Sequence, residues 1–167
     1  TVCYNPLVRI THLDITHFKN FTRLALDLSA GATIIVGDNA QGKTNFLEAI
    51  YYLATTRSTG PQTDAQLINW LAQKDDWPYA RLGAHLQRDG ERKIVEVVLS
   101  QEQAADGGTR LQKRLKVNGA PTRALKWVGQ MIVVLFLPTD IELVSGSPSV
   151  RRHFLDVALC QIDARYC

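Results

Sequence analysis

The spacing of apolar residues along this chain switches between period two and helical period, and the switches outline its elements. Residues 8–15 read as a strand and 17–21 as a turn. In Arg23-Leu24-Ala25-Leu26-Asp27-Leu28 the three leucines share one face of a second strand. Ser29-Ala30-Gly31 breaks it. Ala32-Thr33-Ile34-Ile35-Val36 follows, a short β-branched run that reads as a buried strand. Phe46, Leu47, Ile50, Leu53 and Ala54 then recur at helical spacing, which predicts a helix over 44–54. Gly60-Pro61 is a stop. Asp64 is placed to cap a short helix reaching about residue 73, with Leu67, Ile68 and Leu71 inward.

Three β-like segments come next, at 80–87, 93–99 and 110–117. Asp89-Gly90 and Asn118-Gly119 are hairpin signals, and a loop over 101–109 contains Gly107-Gly108. The expected arrangement is an antiparallel meander beside the core. Residues 132–137, Ile-Val-Val-Leu-Phe-Leu, are the most apolar run and read as a strand buried on both faces, ended by Pro138. Ser147-Pro148 opens a helix with Ser as cap and Pro in the first turn; Val150, Phe154, Val157 and Ala158 share a face. The pattern fits one α/β domain over 1–167: a core at 1–60, a short helix and antiparallel strands at 61–130, and a buried strand and helix at 131–167.

Between the strand at 32–36 and the helix at 44–54 lies Gly37-Asp38-Asn39-Ala40-Gln41-Gly42-Lys43-Thr44, a phosphate-binding loop in the context its chemistry requires. Its backbone N–H groups and the helix N-terminus favour a phosphate chain. Lys43 is placed to reach the β- and γ-phosphates, and the Thr44 hydroxyl to ligate Mg²⁺. A phosphate-loop nucleotide-binding fold is therefore the expectation, with ATP and Mg²⁺ as ligands.

Composition adds limits. With 167 residues, 46% hydrophobic and 21% charged, the chain is of globular type, and no stretch approaches a bilayer span. The first residues lack the basic and apolar segments of a secretory signal, so the cytosol is the expected location. A net charge of +3 permits a polyanion partner without arguing for one. Cys3, Cys160 and Cys167 have no C-x-x-C spacing and are expected as reduced thiols. His12, His17, His85 and His153 show no metal-ligand spacing.

The flanks select among phosphate-loop families. Phe18-Lys19-Asn20-Phe21, the loop continued through Asn45-Phe46-Leu47-Glu48-Ala49-Ile50, and Arg57-Ser58 resemble the RecF family of bacterial recombination and repair ATPases, relatives of the SMC proteins. A second block agrees: Leu135-Phe136, Pro138, and Gly146-Ser147-Pro148-Ser149-Val150-Arg151-Arg152-His153-Phe154-Leu155-Asp156. Val117-Asn118-Gly119 and residues 125–129 also look alike, in the same order. The likeness runs from about residue 7 to 166. Ala40 departs from it, standing where the family has Gly, and Ala resists positive φ. Thr139 stands where an acidic residue is usual.

The resemblance implies an SMC-type (ABC-type) ATPase head, of which this chain is the N-terminal half. The Walker B carboxylates, signature loop and D-loop of such heads lie in the C-terminal half, so the expectation is ATP binding without efficient hydrolysis. It further implies an ATP-dependent homodimer, DNA as partner at single-strand gaps in duplex, RecO and RecR, and indirectly RecA, in recombinational repair and the SOS response. Asp38, Asn39, Gln41 and the rest of Gly37 to Asn45 would bind ATP. Lys19 would touch a phosphate, and Arg57 resembles an arginine that senses DNA. Arg110, Arg114 and Lys116 alternate onto one strand face, which either tracks a phosphate backbone or is a solvated face. Arg151 and Arg152 oppose the dipole of their helix, so either a phosphate contact or an ion pair such as Arg152–Asp156 is expected. Two other classes stay in view: a non-cycling interaction module and a small-molecule kinase.

Overall fold

The computed structural model describes residues 8–103, 108–163 and 166. Strands β1 (Arg9–Phe18) and β2 (Phe21–Asp27) form a hairpin, and α1 (Lys43–Thr55) follows the phosphate loop. Strands β3 (Tyr79–Arg88), β4 (Glu91–Gln103), β5 (Thr109–Val117) and the short β6 (Ala120–Pro121) make the meander. Helices α2 (Ala124–Trp127), α3 (Glu142–Ser145) and α4 (Pro148–Ile162) complete the described elements.

The six strands form one antiparallel sheet in the order β2-β1-β3-β4-β5-β6. The meander is thus joined to the opening hairpin: Leu13 lies opposite Ala84 and Ile15 opposite Leu82. Both turn signals are realised. Asp89 and Gly90 have φ of 50° and 83°, Asn118 and Gly119 φ of 50° and 79°. Positive φ at both central residues is the turn geometry whose twist matches a tight hairpin.

Period-two alternation puts Leu13, Ile15, Leu82, Ala84, Val95, Val97 and Leu99 on one buried face. Helix α1 packs there through Phe46, Ala49, Tyr52 and Leu53. Trp127 closes the same core, and its indole N–H donates to the Leu53 carbonyl at 2.9 Å. The Tyr52 hydroxyl donates to Asp64 at 2.7 Å, and Lys113 pairs with the same carboxylate at 2.7 Å. Burial, then the Asp64 bond, pushes the Tyr52 phenol far above its usual range.

The opposite face is polar. Arg81 pairs with Asp14 (3.2 Å) and Glu96 (2.7 Å), and Lys116 reaches Glu96 at 3.2 Å. Burial pushes the Glu96 carboxyl up, but hydrogen bonds from Arg81 and Lys116 outweigh it and hold it below its ordinary value. A lowered folded pKa stabilises above the unfolded value and loses that contribution as pH falls through the folded one. Glu96→Gln is therefore expected to flatten the pH dependence of stability below about pH 4.5, read from urea midpoints. An unchanged acid limb would contradict this.

Several expectations are corrected. Residues 32–36 and 132–137 form no strand. A strand buried on both faces needs ladder partners and covering layers, and the described residues supply neither. Ile34 and Val36 are each 84% exposed, and Phe136 is 79% exposed. Val133, Leu135 and Leu137 instead turn toward α4, lining a groove of about 450 Å³ with Phe154 and Val157. Residues 64–73 form two short 3₁₀ turns, Asp64–Leu67 and Ala72–Lys74, in place of one helix. Thr63 is the cap, bonded through its N–H to Gln66, because Asp64 is taken by Tyr52 and Lys113. Leu67 and Ile68 are buried as expected, but Leu71 is exposed. Cys160 is disulfide-bonded, since a cysteine count does not say which sulfurs meet in space. Cys3, Cys167 and Gly107 lie outside the described residues.

Candidate nucleotide-binding site

The phosphate loop runs onto the N-terminus of α1, whose first amides have no partner within the helix. Gly42 occupies the cap position with φ of 100°. The positive φ favours glycine, and a Cβ there would stand 2.4 Å from Asn20 Nδ2, displacing the amide that holds the loop. Asn20, in the β1–β2 turn, clasps the loop from below. It donates weakly to the Gln41 carbonyl at 3.4 Å and accepts from Asn45 Nδ2 at 2.8 Å. Gly42→Ala is expected to weaken nucleotide binding at least tenfold with little change in the core, measured as analogue affinity beside thermal midpoint.

Lys43 curls back into the loop, its Nζ donating to the carbonyls of Gly37 and Asp38 at 2.7 Å each. An ammonium has three donors, so one is left for a phosphate oxygen. Thr44 lies in the first exposed turn of α1, where its hydroxyl can meet a cation. Ala40 adopts φ of 65°, the strained conformation expected at this departure from glycine. Ala40→Gly is expected to relieve roughly 1 kcal/mol of local strain. A higher analogue affinity or thermal midpoint would register it; a fall in both would refute it.

Lys19 does not point freely at the loop. Its ammonium pairs with Glu48, and Thr59 donates to the other carboxylate oxygen. The Lys19 and Glu48 side chains are only 12% and 13% exposed. Asn69 donates to the Lys19 carbonyl at 2.7 Å, fixing the turn. Asn20, Glu48, Thr59 and Asn69 were not singled out from sequence. Glu48 had a readable signal, since it falls one helical turn after Thr44.

The basic candidates are scattered. Arg57 is exposed just past α1. Arg114 donates to Glu102 at 2.9 Å and Gln112 at 2.8 Å, and Lys116 is held by Glu96. Arg110 is exposed across from Glu102. Arg151 donates to the Gly146 carbonyl at 3.0 Å, tying α4 to the end of α3. Arg152 is exposed, and Asp156 accepts from Tyr166 at 2.8 Å in place of an Arg152 pair. The structure gathers the loop, Lys43, Thr44 and Asn45, and among the described residues the hydrogen bonds and ion pairs of Arg114, Lys116 and Arg151 go elsewhere.

A glycine-capped phosphate loop on a helix that packs against an antiparallel sheet is the N-terminal architecture of an SMC-type phosphate-loop ATPase head. The family model described as "RecF/RecN/SMC N terminal domain" matches residues 9–131, and the chain belongs to that family. Among curated relatives, the DNA replication and repair protein RecF of Roseiflexus castenholzii is 45% identical over 162 residues, covering 94% of this chain and 41% of that protein. RecF of Latilactobacillus sakei is 38% identical over 158 residues, with 94% and 38% covered. A solved structure of the recombination mediator protein RecF with ATP, in the RecFOR pathway, superposes with a TM-score of 0.80 at 27% identity. It covers 99% of this chain and 42% of that one. The chain therefore spans about two fifths of the length of the curated relatives it matches.

Proposed function

We propose that this chain is the ATP-binding part of a RecF-type DNA replication and repair protein. The observation that carries the reading is the loop itself. Lys43 is pre-folded against Gly37 and Asp38 with one donor free, and Gly42, at positive φ, has the Asn20 amide packed against its Cα. The likeness to RecF with ATP supports the same ligand. The residues fit the group: loop amides and Lys43 would hold the phosphates, and Thr44 would ligate Mg²⁺, which neutralises phosphate charge when bound. Asn20 holds the loop, and the Lys19–Glu48–Thr59 cluster ties the β1–β2 turn to α1.

Phosphoryl transfer depends on positioning and electrostatic stabilisation, and needs carboxylates placed on the metal side. Glu48, one helical turn after Thr44, is engaged by Lys19 and Thr59. ATP binding without efficient turnover is the expected behaviour of this chain. In the whole protein, nucleotide-dependent dimerisation would couple ATP to DNA, with RecO, RecR and indirectly RecA as partners, in the cytoplasm. Arg57, Arg110 and Arg152 carry the DNA reading better than Arg114, Lys116 and Arg151, whose groups are engaged.

Equilibrium binding of a fluorescent ATP analogue with Mg²⁺, alongside ATP turnover, tests the proposal. Saturable binding with negligible turnover is expected. A folded chain that binds no analogue would reject it and favour an interaction module, the reading that the exposed run at 132–137 supports.

A further inference from the structure

The end of β1 remote from the phosphate loop carries a second polar site. A groove of about 490 Å³ opens there, lined by Arg9, Thr11, His12, His85, Arg92 and Lys93, with Asp27 at its rim. The phosphate loop is clasped at the opposite end, through Asn20 just after Phe18. At about 3.3 Å per residue, the length of β1 separates the two by roughly 25 Å.

A bulge builds the groove. The β1–β3 register shifts between Ile10 and His12, so Ile10 pairs with Leu86 and His12 with His85, leaving Thr11 as the extra residue. Bulges re-aim side chains, and here the shift sets His12 over His85 with ring centroids 5.0 Å apart. The bulge is pinned on both sides. Thr11 Oγ1 donates to the His85 carbonyl at 3.2 Å, and the Leu28 N–H donates to the Thr11 carbonyl at 2.9 Å. His12 Nδ1 lies 2.6 Å from Asp27 Oδ1.

Charge compensation fails only partway across this face. Over its centre, Arg81, Arg114 and Lys116 all have carboxylate partners. At the groove, Arg9 is held by the neutral Gln87 at 2.6 Å. Among the described residues, none of Arg9, Arg92 and Lys93 is paired with a carboxylate. Asp27 is the single acid on the wall, and it faces His12. Arg92 lies opposite Gln87 and shares the polar face, whereas Lys93 lies opposite the buried Leu86 and alternates to the other face. The result is a concave surface with two uncompensated cations, Arg9 and Arg92, two imidazoles and one engaged carboxylate. Such a surface favours a multiply charged anion with several acceptor oxygens.

We propose that this groove is a second phosphate-recognising site, distinct from the phosphate loop. It takes phosphate either as the phosphodiester backbone of a nucleic-acid strand or as the free anion. Arg9, preset by Gln87, and Arg92, opposite Gln87 on the same face, supply planar N–H donors and charge.

The test uses the full chain and two double variants, Arg9→Glu with Arg92→Glu and Arg9→Gln with Arg92→Gln. Binding of labelled single-stranded and duplex 30-mers is followed from about 50 to 200 mM salt, with the ATP analogue as control. Inorganic phosphate and pyrophosphate are titrated by calorimetry in a Lys43→Ala background, which removes the phosphate loop as a competitor. If the backbone is the source, both variants lose affinity for the 30-mers at least tenfold. The log–log salt slope then becomes shallower by about 1.8 units on duplex, since each lost phosphate contact removes about 0.9. ATP-analogue binding stays unchanged. If the free anion is the source, phosphate and pyrophosphate binding is present in the background and lost in both variants, with the 30-mers unaffected. Native 30-mer affinity and slope together with native or absent phosphate binding would overturn the proposal.

Discussion

Lys43→Ala is expected to lower the affinity for an ATP analogue by roughly 10- to 150-fold, the equivalent of about 1.5–3 kcal/mol for a hydrogen bond to a charged group. The loss has two parts. The ammonium no longer meets the phosphate, and the carbonyls of Gly37 and Asp38 lose the donor that now folds the loop around them. The site is exposed, so the thermal midpoint is expected to move little. Lys43→Arg tests the geometry: a planar guanidinium keeps the charge but not the compact curl, and intermediate affinity is expected. Native-like affinity in Lys43→Ala would mean that the analogue binds elsewhere.

The second large effect is on stability. Trp127 is 1% exposed and is the largest buried side chain. Trp127→Ala is expected to cost about 3–5 kcal/mol through lost burial and the cavity left behind. The Leu53 carbonyl also loses the indole donor. Urea unfolding followed by far-UV circular dichroism reads the change directly. Trp127→Phe separates the contributions. It retains much of the packing and removes the N–H, so a loss of about 1–2 kcal/mol is expected. A loss below 1 kcal/mol in Trp127→Ala would show that the segment after β6 is not part of the core it closes.

What was legible in the sequence was local. Asp89-Gly90 and Asn118-Gly119 dictate their turns because only residues tolerant of positive φ sit there easily, and both hairpins follow. The phosphate loop was legible because it needs glycine, lysine and threonine at fixed spacing between two elements. The apolar runs at 32–36 and 132–137 misled for a definite reason. Composition reports that a segment is fit to be buried, but a strand exists only where a neighbour completes its ladder. Among the described residues neither run has one. The site's supporting contacts were hidden for the same reason. Asn20 meets Gly42, and Lys19 meets Glu48, across more than twenty residues of chain, and no periodicity encodes such a meeting. Conversely, the basic strand face looked like one surface in sequence, yet acids on β4 compensate Arg114 and Lys116.

The pairing of β1 with β3 also sets an order on assembly. The β1–β2 hairpin and the β3–β4–β5 meander are each closed by contacts between neighbours, and such pieces form quickly. Their junction encloses the phosphate loop and α1 within one long excursion of chain. Closing that excursion carries the larger entropy cost and brings the β1–β2 turn under Gly42. On this ordering the proposed nucleotide site would form with the most entropically costly pairing in the sheet, and a bound nucleotide would act as a latch on it, slowing its reopening.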